Sequence, residues 1–288
     1  MKVPSLIHAV VAAVLVAALV SPTLTGEPRS LPNLAESVKF AVIGDTGNGK
    51  RAQYEVAAQL ASRRAEFPFE LVIMLGDNMY GGQQPEDFVT KFAKPYAALL
   101  SDGVRFFAAL GNHDHGSNRF YQPFNMSGDR YYTFARRNVR FFVLDTNVFD
   151  AEQRTWIEGA LAAAPEEWKV CYFHHPLYSN GIRHGSQVDL RPQLEPLFVK
   201  YGVQVVFSGH DHVYERITPQ QGVQYFVSGA GGQLRKGGVR PSATTAAYFD
   251  QDQSFMLVEI AGSDLFFNAV SRTGQIVDSG AITTRTTR

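Results

Sequence analysis

Short apolar runs recur along this chain, and most stop at a small residue followed by a polar one. Val38-Lys39-Phe40-Ala41-Val42-Ile43 predicts a buried strand that ends at Gly44-Asp45. Lys50 to Glu66 then has helical spacing, with Tyr54, Ala57, Ala58, Leu60 and Ala61 on the expected inner face. Leu71 to Leu75 predicts a second strand, ending at Gly76-Asp77-Asn78, and Val104 to Leu110 a third, ending at Gly111-Asn112-His113. Between them, Glu86 to Leu100 reads as a helix carrying Phe88, Phe92 and Tyr96 and bent at Pro95.

The second half continues the pattern. Tyr131 to Phe134 and Val139 to Leu144 read as an antiparallel pair around Arg136-Arg137-Asn138. Asp150 with Gln153 resembles a capping box for a helix through Ala164. Lys169 to Phe173 predicts a strand ending at His174-His175-Pro176. Leu190 to Lys200 reads as a helix with Pro192 and Pro196 in its early turns, and Val203 to Phe207 as the strand before Ser208-Gly209-His210-Asp211-His212. Strands at Tyr225 to Val227, Phe255 to Ile260, Leu265 to Val270 and Gln275 to Val277 close the chain, with Gly229 to Tyr248 expected as a loop. Strand-helix alternation followed by antiparallel strands predicts a mixed α/β (α+β) fold, with a mixed sheet or two packed sheets and outer helices. There is no repeat and no long linker, so residues 38–288 are expected to form one domain.

Leu6 to Val20 is almost wholly apolar and is followed by Ser21, Pro22, Thr23, Thr25 and Gly26. That length suits an export signal over residues 1–26, with an uncleaved N-terminal anchor as the alternative. Export implies a secreted or periplasmic protein, and residues 27–37 read as a polar lead-in.

Composition narrows the chemistry. The chain has 288 residues, 45% hydrophobic and 19% charged, with a formal net charge of zero. Nothing suggests electrostatic binding of nucleic acid, or a membrane partner beyond the N-terminal segment. No residue pattern specifies an oligomeric state. One cysteine, Cys171, excludes an internal disulfide and a sulfur-rich metal site, and its apolar surroundings predict a core residue.

Five strand ends carry groups that could bind metal: Asp45; Asp77 with Tyr80; Asn112-His113; His174; and His210 with His212. A single aspartate after a strand usually caps the next helix. A single histidine there is more often an ordinary core or surface group. Five in register have no such explanation, because sites in α/β proteins collect where the carboxyl ends of strands converge. Carboxylates, an amide oxygen, imidazoles and a phenol suit Fe, Zn or Mn. Asp77 can bridge two ions, which at about 3.5–4 Å apart would clamp a phosphate and activate a water. Tyr80 narrows the choice further. A phenol with a pKa near 10 becomes a ligand readily only at a strongly acidic ion such as Fe(III).

Gly44-Asp45-Thr46-Gly47, Gly76-Asp77-Asn78-Met79-Tyr80, Gly111-Asn112-His113-Asp114, His174-His175-Pro176 and Gly209-His210-Asp211-His212 resemble the five ordered motifs of the purple acid phosphatases. That family belongs to the calcineurin-like metallophosphoesterases. The match runs from about Val38 to Gly232, and the compact length is closer to the small, tartrate-resistant type. The resemblance implies a four-layer αββα sandwich and an acid phosphatase that hydrolyses small phosphate monoesters by in-line attack of metal-bound hydroxide. Carried over, it places Fe(III) at Asp45, Tyr80 and His212, a bridge at Asp77, and a divalent Fe, Zn or Mn at Asn112, His174 and His210. One departure is that Val170 lies four residues before His174, where the family often has three. The following Pro176 still favours His174 over His175 as the ligand.

His113 and His184 are the expected catalytic histidines, stabilising the oxyanion or protonating the leaving alkoxide. His115 and His175 have less claim, and His175 reads as structural. Asp114 and Asp211 are expected to orient neighbouring histidines. Arg183, Arg235 and Lys236 could contact phosphate or leaving group, against the simpler reading of solvated charges.

Three rivals remain. Gly44 to Lys50 fits a P-loop, but Arg51 stands where Ser or Thr should hold Mg²⁺, and the four later motifs would be unexplained. A phosphodiesterase of the same superfamily fits less well, since many lack a tyrosine at the Tyr80 position. A non-catalytic protein that kept the fold would have no need of the intact ligand set.

Overall fold

The computed structural model describes residues 30–284. The export signal or anchor expected at 1–26, and the first residues of the lead-in, lie outside the described residues. Among those described, no helix is long and apolar enough to cross a membrane.

The strands in chain order are β1 (Val38–Ile43), β2 (Leu71–Met74), β3 (Arg105–Ala108), β4 (Tyr132–Arg136), β5 (Val139–Val143), β6 (Trp168–Tyr172) and β7 (Val205–Ser208). They continue as β8 (Tyr214–Ile217), β9 (Gln224–Ser228), β10 (Thr245–Phe249), β11 (Ser254–Ala261), β12 (Asp264–Ser271) and β13 (Ile276–Thr283). The main helices are α1 (Arg51–Glu66), α2 (Pro85–Phe88), α3 (Ala97–Ser101), α4 (Ala151–Ala163) and α5 (Arg191–Lys200). One sheet has the order β13-β12-β11-β1-β2-β3 and the other β10-β8-β9-β7-β6-β5-β4. β1, β2 and β3 are parallel, as are β5, β6, β7 and β9, while β11 to β13 are antiparallel.

Side-chain alternation builds the layers. Along β1, Phe40 and Val42 join a core shared with Phe141, Val170 and Phe207 of the facing sheet. Ala41 and Ile43 turn the other way, onto Val56, Ala57 and Leu60 of α1. In β5 and β6, Phe141 and Val170 face the first sheet, while Phe142 and Cys171 face Ile157, Leu161 and Leu194 of α4 and α5. Strands covered on both faces must be apolar throughout, hence the unbroken runs in the sequence. The result is the expected αββα sandwich, with Cys171 in the core.

Several details differ from expectation. α1 buries Gln53, Val56, Ala57 and Leu60, while Tyr54 lies outward with its hydroxyl on the Thr90 carbonyl. The helix expected over 86–100 is broken. α2 runs into a wide turn closed by the Lys94 N–H on the Val89 carbonyl, and Pro95 separates that turn from α3. Asp150 caps α4, but the Gln153 side chain does not return the bond; it spans the Asp145 backbone instead. Pro196 lies inside α5 rather than in an early turn. The loop expected over 229–248 contains the start of edge strand β10, β8 was not anticipated, and β13 is longer than the run 275–277.

The lead-in is tied to the sandwich. Buried Glu259 of β11 accepts the Asn33 and Leu34 N–H groups and the Ser37 hydroxyl, and Lys39 Nζ donates to the Leu34 carbonyl.

Candidate metal centre

Loops after β1, β2, β3, β6 and β7 converge at one edge of the sandwich. Three of them begin with left-handed backbone at non-glycine residues: Asp45 (φ 56°), Asp77 (φ 51°) and His210 (φ 71°). Such residues cost about 1–3 kcal/mol each and persist where surrounding structure enforces them. Close approach also dictates Gly111, where a Cβ would lie 2.1 Å from the Asp77 nitrogen.

Ligand atoms of Asp45, Asp77 and His212 lie within 4.8 Å of one another. The Tyr80 hydroxyl joins them, 3.1 Å from Asp45 Oδ1 and 3.2 Å from His212 Nε2. Beside this group, His174 Nε2 lies 3.1 Å from His210 Nδ1, 3.0 Å from Asn112 Oδ1 and 3.4 Å from Asp77 Oδ1. All seven expected ligand residues are therefore brought together, with Asp77 touching both halves.

This donor set fits two cations. His174 Nδ1–H donates to the Leu75 carbonyl at 2.9 Å, which leaves the lone pair on Nε2. The Asn112 and Asp77 oxygens then face that lone pair as further acceptors, an arrangement that repels unless a cation lies among them. Electrostatics agree. Burial holds His174 and His210 well below the usual imidazole pKa, and neighbouring imidazoles add to the effect, so both stay neutral. Burial raises Asp45; the His212 hydrogen bond opposes this and the Asp77 charge reinforces it. Burial opposes a charged His212 ring, but Asp45 and Asp77 more than offset it and raise the pKa. Burial, then the charges of Asp45 and Asp77, hold the Tyr80 phenol protonated. Only a strongly acidic cation would draw that proton off.

The expected catalytic histidines flank the two halves. The His113 ring lies 4.7 Å from the Tyr80 ring, and the His184 ring 3.9 Å from that of His210. Both are exposed. Burial lowers the His184 pKa; Asp211 opposes that, and His212, Arg183 and Arg235 add to it. His115 is set apart, its N–H donating to Gln83 Oε1. His175 is placed by Thr146, whose hydroxyl lies 2.8 Å from Nδ1 and accepts the His175 N–H.

Asp114 and Asp211 do not orient imidazoles, contrary to expectation. Half-buried Asp114 accepts N–H groups of Asn78, Met79 and Gly111, so it joins the loops after β2 and β3. Asp211 accepts the Ser179 hydroxyl and the His184 and Gly185 N–H groups, and so holds the loop that carries His184. It packs against Gly181, where a Cβ would lie 2.2 Å from the carboxylate carbon.

Sequence reasoning missed the end of β5. Asp145, Thr146 and Asn147 repeat the same strand-end pattern, and Asn147 Nδ2 donates to the Gly111 carbonyl beside Asn112. With Asn112 and His175 they line a cavity of about 590 Å³ next to the metal-ligand cluster. Arg130 also lines it, paired to Asp145 and Asp150.

Comparison with known proteins agrees with the geometry. The model of the calcineurin-like phosphoesterase family matches residues 38–214. Purple acid phosphatase 17 of Arabidopsis thaliana is 25% identical over 269 residues, covering 79% of each chain. Tartrate-resistant acid phosphatase type 5 of Rattus norvegicus is 24% identical over 291 residues, covering 84% of this chain and 89% of its own. The purple acid phosphatase PPD1 from yellow lupin seeds superposes with a TM-score of 0.72 at 19% identity, over 88% of this chain and 55% of the lupin chain. The resemblance seen in the motifs is borne out, and so is the fold.

Proposed function

The chain belongs to the calcineurin-like phosphoesterase family, and on that footing we propose that it is a binuclear acid phosphatase acting on small phosphate monoesters. The observation that carries this reading is the pair of adjoining acceptor clusters, Asp45/Tyr80/His212 and Asn112/His174/His210, with Asp77 common to both. Fe(III) would be held at the first and a divalent Fe, Zn or Mn at the second. Two metal ions, when bound, would neutralise the phosphoryl oxygens and supply an acidified water as nucleophile.

The protein's own groups do the rest. His113 and His184 stand on either side of the cluster, exposed and able to reach a phosphate above it. One stabilises the oxyanion and the other protonates the departing alkoxide. A proton is needed on the latter, which suits activity at acid pH. The cavity beside Asn112 offers room for the alcohol. Export through the N-terminal segment would bring the enzyme to a secreted or periplasmic location.

The test is metal analysis of the purified protein together with hydrolysis of an aryl phosphate monoester and its diester. Two ions per chain and faster monoester turnover are expected. Faster diester turnover would make it a phosphodiesterase, and failure to cleave either ester would favour a non-catalytic role.

A further inference from the structure

Two loops at the lip of the metal centre are joined to each other. The Ile182 N–H donates to the Gly238 carbonyl at 2.8 Å, and the Arg240 N–H to the Asn180 carbonyl at 3.0 Å. The resulting ribbon is fastened to the site at both sides. Asp211 holds its His184 end, and the Arg235 N–H donates to the carbonyl of His212 at 2.9 Å. It carries Arg183, Arg235, Lys236 and Arg240, and among the described residues none of these four charged heads makes an ion pair or hydrogen bond. Elsewhere the arginines near a carboxylate are spent on it, as Arg130, Arg140, Arg216 and Arg272 show.

The nearby acids do not claim these cations. Asp211 is taken by a hydroxyl and backbone N–H groups, Glu215 by Asn180 and Thr245, and Asp250 by the Val239 N–H and Gln251. All three acids are buried, while Arg183, Lys236 and Arg240 are exposed and Arg235 is half-buried. The acids weaken the local field, but the guanidinium donors stay unspent. The turn packs closely at Arg235: a Cβ at Gly238 would lie 2.5 Å from the Arg235 carbonyl oxygen and 2.9 Å from its Cγ, so glycine is required there.

We propose that this ribbon binds a second phosphoryl group of the substrate, so that the preferred substrates are small polyphosphorylated monoesters. The inference rests on the phosphomonoesterase reading above. A phosphate being hydrolysed would meet the metal ions and the flanking histidines, and has no need of further cations on the ribbon. A second phosphate on the same molecule would use the unspent donors, since guanidinium matches phosphate oxygens in both charge and geometry. The cavity beside Asn112 offers no such match, because Arg130 there is already committed to two aspartates.

The experiment compares kcat/KM for fructose 1,6-bisphosphate and phenyl phosphate in the metal-loaded protein and in the double variant Arg183→Ser, Lys236→Ser. Both positions are exposed, so the fold should survive. The ratio of the two kcat/KM values should fall about tenfold in the variant, carried by KM for the bisphosphate, and should fall in the wild type as salt rises from about 20 to about 200 mM. A ratio unchanged by the double substitution, with phenyl phosphate still cleaved, overturns this inference alone. A wild-type protein that cleaves neither ester overturns the phosphatase reading and this inference with it.

Discussion

The Asp45 carboxylate accepts the backbone N–H of His210 at 2.9 Å, across 165 residues of sequence. Asp45 follows a strand of one sheet and His210 follows a strand of the other. The bond uses Asp45 Oδ2, while Oδ1 faces Tyr80 and His212. One carboxylate therefore both fastens the two sheets at the site and presents an oxygen to the metal-ligand cluster.

The His210 and His212 rings lie in different halves of the cluster, although the residues are two apart. His212→Ala should chiefly deplete the ion at Asp45 and Tyr80, and His210→Ala the ion at Asn112 and His174. Metal content per chain, resolved by element, checks this. Loss of the same single metal in both variants would restore a simple two-histidine chelate.

Tyr80 lies within 3.2 Å of two ligand atoms while its phenol is held protonated by burial and two carboxylates. Iron-loaded protein should be coloured by charge transfer from the phenolate. Tyr80→Phe should abolish the visible band while retaining the fold by circular dichroism. A band that survives the substitution would show that another group supplies it.

His184 rests on the ring of His210, near the half of the site beside the open cavity. If it protonates the leaving alkoxide, His184→Gln should lower kcat by about 10²-fold for an alkyl phosphate and much less for p-nitrophenyl phosphate, whose leaving group needs no proton. Equal losses on both esters would give the role to oxyanion stabilisation instead.

Asp278 of β13 accepts the Tyr214 hydroxyl at 2.7 Å and both Nε and Nη2 of Arg216, on β8 of the other sheet. Removing it strands a phenol and a mostly buried guanidinium. Asp278→Ala should cost about 3–5 kcal/mol of unfolding free energy. A denaturant midpoint within error of wild type would contradict that clamp.

Arg140 makes a two-pronged pair with Glu166, and that hydrogen bond holds the carboxyl below its ordinary pKa. A depressed folded-state pKa stabilises the fold above the unfolded carboxyl pKa of about 4.3, and the contribution disappears as pH falls through the folded value. Arg140→Met should therefore cost about 1 kcal/mol at neutral pH, with the difference from wild type vanishing at lower pH. A difference that is constant across that range would point to packing rather than charge.

How much was legible beforehand depends on the range of the interaction. The alternation in Phe40-Ala41-Val42-Ile43 is local, and it sufficed for the strand and its two-faced burial. β10 escaped because Thr245–Phe249 lies at a sheet edge and is not fully buried, so selection for apolar residues there is weak. The break between α2 and α3 escaped because a single apolar stripe of Phe88, Phe92 and Tyr96 survives a wide turn.

The sequence by itself determined the candidate donor set: seven oxygen- and nitrogen-bearing residues at five strand ends, with histidines beside them. Each of these types and positions is a local property of a strand and the turn that follows it. Only the tertiary structure decided which candidate ligands lie together, that Asp114 and Asp211 hold loops rather than imidazoles, and that, among the described residues, the charged heads of Arg183, Arg235 and Lys236 make no ion pair or hydrogen bond. Those outcomes depend on which distant groups two packed sheets bring within a few ångströms, and no stretch of the chain carries that distance by itself.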